Sequence, residues 1–210
     1  MYSIKDGYVE NPRPCYFLDD VTTTRGIIYQ PDVYVYAENI AVELGVSKLI
    51  DFGCGWGNKL AMIHERHPDW HIVGVDFGEN IKHCRATYSW GEWIEQNLDR
   101  PTRFDVRPEL RGAVAVSADV VEHLARPENL VRTILKFEPT RIVLSTPERE
   151  VLYGEAHNGP PPNLCHIREW NQREFVSFLE AEGLTVLEQM LTRGDDVAND
   201  VTTQMVLATG

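Results

Sequence analysis

Residues 48–60 read KLIDFGCGWGNKL, an apolar run that reaches Asp51 and then breaks into glycines at 53, 55 and 57. Glycine at alternate positions lets a chain turn sharply and brings bare amides within contact of a ligand. Asn58 onward reads as a helix, so the turn joins a strand to a helix whose N-terminus is electrically positive. In an open α/β sheet ligands bind there, beyond the carboxyl ends of the strands. The dinucleotide signature G-x-G-x-x-G places its third glycine to seat the helix beside a pyrophosphate. Here the spacing is D-x-G-x-G-x-G. An acid aimed into such a pocket repels a phosphate and suits a cationic or amino-bearing ligand. A glycine turn that binds nothing is the plainer alternative.

Outward from this turn, strands and helices alternate. Pro31-Asp32 opens a helix to about Leu44, which Gly45 ends. Strands are expected at Lys48–Phe52, His71–Val75, Trp93–Gln96, Ala113–Ala118 and Arg141–Ser145, with helices at Asn58–His67, 79–87 and Pro127–Lys136. Short, nearly continuous apolar strands separated by helices indicate a parallel sheet buried on both faces. Near the end, NQREFVSFLEAEG reads as a helix with Asn171 as N-cap and Glu174 three residues on, a capping box. Two strands follow without a helix between them, Leu184–Leu191 and about Thr202–Ala208, so they can pair as an antiparallel hairpin at the sheet's edge. Residues 1–30 are irregular and rich in Pro, Thr and aromatics, including Tyr2, Tyr8, Tyr16, Phe17 and Tyr29. They are expected to form an N-terminal lid, cap or dimer contact on a single main domain, 31–210.

The second motif is Asp76, which ends HIVGVD with Phe77 beside it. At the end of a second strand its carboxylate can accept from both hydroxyls of a ribose; an acid that caps the next loop is the alternative. The two motifs together indicate a ligand with an adenosine-like ribose and a positive part, and S-adenosylmethionine has both.

LIDFGCGWG, IVGVD, AVSADVVEHL and RIVLSTPER, in that order, resemble the motif series of class I S-adenosylmethionine-dependent methyltransferases. The likeness runs from about residue 32 to the last strand. It implies a three-layer α/β sandwich around a mostly parallel seven-stranded sheet in order 3-2-1-4-5-7-6, strand 7 antiparallel. It also implies S-adenosylmethionine as cofactor and S-adenosylhomocysteine as product. By this resemblance Asp51 and the loop of Gly53, Cys54, Gly55 and Gly57 hold the methionine end, and Asp76 with Phe77 meets the ribose. Leu98 lies against the adenine, and Asn97 or Asp99 accepts from its amino group. Asp119 stands among the cofactor contacts.

Methyl transfer to a hydroxyl needs alignment and removal of a proton. His123, in DVVEHL, is one candidate base; packing against the cofactor is its alternative role. His157 and His166, in EAHNGPPPNLCHIREW, are the others, on a proline-stiffened loop able to close over a substrate. The His-x-Arg-Glu-Trp cluster there resembles one in bacterial glycan and secondary-metabolite methyltransferases. The expected substrate is a small-molecule acceptor, a hydroxyl of a sugar or polysaccharide precursor. An N-methyltransferase of an amino sugar or small amine, a non-catalytic cofactor-binding scaffold and a nicotinamide dehydrogenase are the competing readings, the last disfavoured by the glycine spacing and the hairpin.

Composition removes other classes. A net charge of −12 with scattered Lys and Arg disfavours a nucleic-acid partner, and no NPPY or DPPY stretch follows the fourth strand. No apolar run is long enough to span a membrane, no secretory leader is seen, and the cytoplasm is expected. The four cysteines, Cys15, Cys54, Cys84 and Cys165, form no C-x-x-C pair and read as free, mostly buried thiols. Glu122 and His123 are possible metal ligands without further ligand spacing, so no metal is expected. A monomer or a homodimer is equally compatible.

Overall fold

The computed structural model describes residues 4–12, 26–102 and 105–210. Lys48–Phe52 forms β1 in the middle of a seven-stranded sheet. On one side lie β2 (His71–Asp76) and β3 (Glu92–Glu95); on the other lie β4 (Val114–Ala118) and β5 (Arg141–Pro147). All five are parallel, with Leu49 opposite both Ile72 and Val114. The chain then closes with β6 (Thr185–Arg193) and β7 (Val201–Thr209). The last strand inserts between β5 and β6, antiparallel to both, which gives the order 3-2-1-4-5-7-6. The expected sheet is thus the observed one.

Burial on both faces explains the unbroken apolar strands. Ile50 and Phe52 join a core on one face with α4 (Pro127–Lys136) and α6 (Gln172–Ala181), while Leu49 joins the other core with α1 (Pro31–Glu43), α2 (Asn58–Arg66) and α3 (Glu79–Thr87). Alternate residues of one strand therefore serve opposite layers. The Asn171–Glu174 capping box is present in full at the start of α6. No helix among the described residues is long and apolar enough to cross a membrane.

Three details differ from the expected elements. Strand β5 runs two residues further than the apolar run, because β7 pairs with it as far as Pro147 opposite Thr203. Thr146, Thr203 and Gln204 are buried there although polar. A short helix, α5 (Arg149–Tyr153), follows directly, its first turn capped by the Glu148 side chain, which accepts from the Val151 N–H at 2.6 Å. Cys54 and Cys84 are free and buried as expected, but Cys165 is disulfide-bonded, which corrects the reading of four free thiols. Pairing of distant cysteines is set by tertiary contact, and spacing does not reveal it. Cys15 lies outside the described residues.

Of the N-terminal segment, residues 4–12 run along the loop that precedes α6. Val9 N–H donates to the Asn158 carbonyl and Asn11 N–H to that of Ile167. The buried Asn11 amide donates to the Pro161 and His166 carbonyls at 3.0 and 2.8 Å. Tyr2, Tyr16 and Phe17 lie outside the described residues.

At the other end of the sheet, Arg193 of β6 donates to Asp32 in the first turn of α1, with one bond of 2.8 Å, and Thr192 adds a second donor at 2.9 Å. These bonds hold the Asp32 carboxyl down at about 2. The unfolded-state value is higher, so the pair's stabilisation is present above about pH 4 and is lost as pH falls toward 2. The side chains are more than a third exposed, so solvent screening leaves the pair worth about 1 kcal/mol or less. Asp32→Asn should lower stability at pH 7 by that amount and leave it unchanged at pH 2. Urea melts at the two pH values check this, and an equal loss at both would refute it.

Candidate functional site

A cavity of about 720 Å³ lies along the carboxyl edge of the sheet. The strand order arranges its walls: Asn97 and Leu98 after β3, Asp76 and Phe77 after β2, Gly53 to Gly55 after β1, and Asp119 to Leu124 after β4. Pro147 of β5 and Thr202 and Thr203 of β7 follow at the far end. The volume suits a small-molecule site.

The glycine turn is built for close approach. Gly53, Gly55 and Gly57 all have positive φ, at 92°, 55° and 76°. A Cβ on Gly53 would stand 2.3 Å from Cγ2 of Val120, so the turn is packed directly against the segment after β4. Asp76 is buried and pins the turn: its Oδ2 accepts from the Gly55 N–H at 2.8 Å and its Oδ1 from the Phe77 N–H at 2.7 Å. Cys54 lines the same wall; burial, then the neighbouring Cys84 thiol, push it well above its ordinary value, so it stays neutral. At the β3 end, Asn97 Oδ1 already accepts from the Asp99 N–H at 2.9 Å, and Asp99 Oδ1 accepts from the Arg126 N–H at 2.6 Å.

After β4 the chain makes one 3₁₀ turn, Val121–His123. Asp119 just before it has a left-handed φ of 50°, uncommon for a residue with a side chain and a recurrent feature of functional sites. Its carboxylate accepts from the Ser145 hydroxyl at 2.6 Å and the Gln30 amide at 2.8 Å. Burial raises its pKa above the carboxylate norm. The turn also docks the long loop before α6: Ile167 N–H donates to the Glu122 carbonyl at 2.8 Å, and His123 Nδ1 donates to the Cys165 carbonyl at 2.9 Å. In consequence His123 and His166 meet edge to face, their ring centres 4.8 Å apart.

Beside them stands Glu122, fully buried. Its Oε2 accepts from the Thr146 hydroxyl at 3.1 Å, while its Oε1 has no hydrogen-bond partner among the described residues. Burial, then the Asp119 charge, raise this carboxyl well above its usual range. Burial and the nearby His166 lower His123 to about 4, so its imidazole is neutral at physiological pH. His166 is oriented by Glu169, whose Oε1 lies 2.5 Å from its Nδ1.

Not every expected residue reaches the cavity. Asp51 is fully buried behind the turn, where the Tyr34 hydroxyl donates to its Oδ2 at 2.9 Å, and it is absent from the cavity wall. Gly57 is the N-cap of α2 and packs toward Trp93 and Tyr88. His157 leans on Tyr153 with ring centres 4.7 Å apart, away from the paired imidazoles. Among the wall residues not singled out in the sequence are Lys59 and Gln30. Lys59, in the first turn of α2, sits with its ammonium 5.0 Å above the Tyr34 ring and lines the cavity; its place directly after the glycines was the available signal. Gln30 reaches Asp119 from far away in sequence, and no local pattern announces it.

The site thus joins a glycine turn with a ribose-competent acid to a buried cluster of proton acceptors. A family model described as a methyltransferase domain matches residues 32–189. The trans-aconitate 2-methyltransferase of Azoarcus sp. (strain BH72) is 37% identical over 51 residues, which is 24% of this chain and 20% of that protein. Among solved structures, the methyltransferase domain of bacterial CtHen1-C superposes with a TM-score of 0.63 at 21% identity, covering 85% of this chain and 97% of that one. The glycopeptide N-methyltransferase MtfA in complex with S-adenosylmethionine gives 0.60 at 13% identity, covering 84% and 86%.

Proposed function

The chain belongs to the methyltransferase-domain family, and from that premise we propose that it methylates an oxygen of a small polar acceptor, a hydroxyl of a sugar or polysaccharide precursor. When bound, S-adenosylmethionine supplies a methyl group on a sulfonium, a leaving group that needs no further activation. The residues present fit that cofactor. Gly53 and Gly55 line the cavity with bare backbone, and Asp76 faces the cavity where a ribose would stand. Lys59 and the Gly53–Gly55 amides take the methionine end, with Lys59 toward the carboxylate. Leu98 covers one face of the adenine, and Asn97 or Asp99 meets its amino group. Asp51 acts from behind, holding Tyr34 under Lys59.

The observation that carries the acceptor assignment is the Glu122–His123–His166 cluster on the cavity wall after β4. Loss of a hydroxyl proton is the demanding part of O-methylation, and a buried set of proton and lone-pair acceptors has a use there. An amine nucleophile sheds its own proton and needs none of it. The far end of the cavity is polar, with Asn163, Asp195, Thr202 and Thr203 on its wall, which suits a polyhydroxylated substrate.

Calorimetric titration with S-adenosylmethionine tests the cofactor half. Asp76→Ala should weaken binding by a factor of about ten or more, the loss expected for hydrogen bonds to a charged group. Mass-spectrometric screening of nucleotide sugars and saccharides tests the acceptor half. Methyl transfer to an amine nitrogen, or wild-type protein that binds no cofactor, would overturn the reading.

A further inference from the structure

We propose that Glu122, His123 and His166 form a binding site for a divalent first-row transition-metal ion. One ligand atom from each residue lies within 4.8 Å of the others. Ligands at about 2.1 Å from a common ion stand about 3.0–3.4 Å apart in octahedral or tetrahedral geometry, so closure needs side-chain shifts of up to about 1 Å. Glu122 Oε1 and His123 Nε2 are 4.0 Å apart, too far for a hydrogen bond and suited to two ligands of one ion.

Three further observations agree. The Cys165 carbonyl can only accept, so His123 carries its proton on Nδ1 at 2.9 Å and its basic lone pair on Nε2. His166 repeats the pattern, with Nδ1 held at 2.5 Å by the Glu169 carboxylate. An imidazole whose outer nitrogen is fixed by a carbonyl or carboxylate is the usual state of a metal-bound histidine. The third is Glu122 itself: a fully buried side chain, oriented by Thr146 through Oε2, with Oε1 unpartnered among the described residues. Buried carboxylates are ordinarily paired or bound to metal. One contact competes, because the exposed Asn163 amide lies 2.8 Å from His166 Nε2 and has to yield on binding. Two imidazoles and one carboxylate suit Mn²⁺, Fe²⁺, Co²⁺ or Zn²⁺ better than Ca²⁺ or Mg²⁺ and leave coordination positions open.

This site revises the expectation of no metal, which stood on Glu122 and His123 without the distant His166. Its use rests on the O-methylation reading. The acceptor hydroxyl would occupy an open position, where a cation lowers the pKa of a bound oxygen. Its proton passes to solvent, its lone pair forms the O–CH₃ bond, and the S–CH₃ electron pair returns to sulfur.

The test is direct titration of the chelator-treated protein with Mn²⁺, followed by the loss of the free-ion electron paramagnetic resonance signal, and with Zn²⁺ by calorimetry. One ion per chain is expected, with a melting temperature raised by about 5 °C at a hundredfold excess over Kd. His166→Ala and Glu122→Gln should weaken binding by more than about tenfold, whereas His71→Ala, at the opposite end of β2, should not. Wild-type protein that takes up neither ion, or uptake unchanged by both variants, would overturn the proposal. The wild-type melting shift reads the site even where a variant folds poorly. S-adenosylmethionine binding measured in the same samples separates the two readings: cofactor bound without metal defeats this inference alone.

Discussion

Gly53→Ala is expected to weaken S-adenosylmethionine binding by about a hundredfold or more while the sheet stays folded. The backbone at this position has φ of 92°, where a side chain is strained, and the new Cβ would stand 2.3 Å from Val120 Cγ2 and 3.1 Å from its Cγ1. Left-handed strain costs about 1–2 kcal/mol and overpacking about 1–3 kcal/mol. Relief comes by moving either the glycine turn or Val120. The first spoils the amides that face the cofactor. The second displaces the turn with Glu122 and His123, so acceptor chemistry suffers as well. Calorimetry with circular dichroism as the folding control reads this result. Near-native affinity would mean that the turn does not touch the ligand.

The largest effect on stability is expected at Arg149. This guanidinium is fully buried at the start of α5 and donates to both carboxylate oxygens of Glu174, at 2.6 and 3.1 Å, and to the Glu169 carbonyl at 3.0 Å. The Tyr8 ring lies over it at 5.1 Å. Glu174 also accepts from the Asn171 N–H in the capping box and from the Lys5 N–H. Arg149→Ala leaves that carboxylate buried without its cation, a loss of about 3–5 kcal/mol, or a melting temperature lower by roughly 10 °C. Adding Glu174→Gln should recover part of it, because the uncompensated charge is then gone. A fall of less than about 2 °C in Arg149→Ala, measured by calorimetry, would show that the pair is not holding the helix.

Much of this was legible before any coordinates. The inner parallel strands β1, β2, β4 and β5 are buried on both faces, so each is an apolar run that ends where the ligand edge begins. Hence the Lys48–Phe52 run coincides with β1, and Asp76 ends β2 as HIVGVD predicts. The capping box was legible for the same local reason, two polar side chains at fixed spacing. What spacing does not show is contact between remote parts of the chain. His166 reaches His123 only because Ile167 and Cys165 are hydrogen-bonded to the turn after β4. Gln30 meets Asp119, and Asp51 turns toward Tyr34 rather than the cavity. Spacing carries none of that. The Cys165 disulfide was missed for the same cause.

The strap of residues 4–12 over the loop before α6 has a consequence for how the molecule is made. Lys5 bonds to Glu174 across 169 positions, and Asn11 to the His166 carbonyl across 155. On a ribosome, residues 4–12 emerge long before their partners. The glycine turn and Asp76 belong to the first half and can assemble around β1 and β2 early. The loop that delivers His166 has to wait for both its strap and α6, contacts whose large sequence separation makes them slow to form. A nascent chain therefore acquires its nucleotide-shaped half first. Its acceptor half comes later, once α6 has been translated.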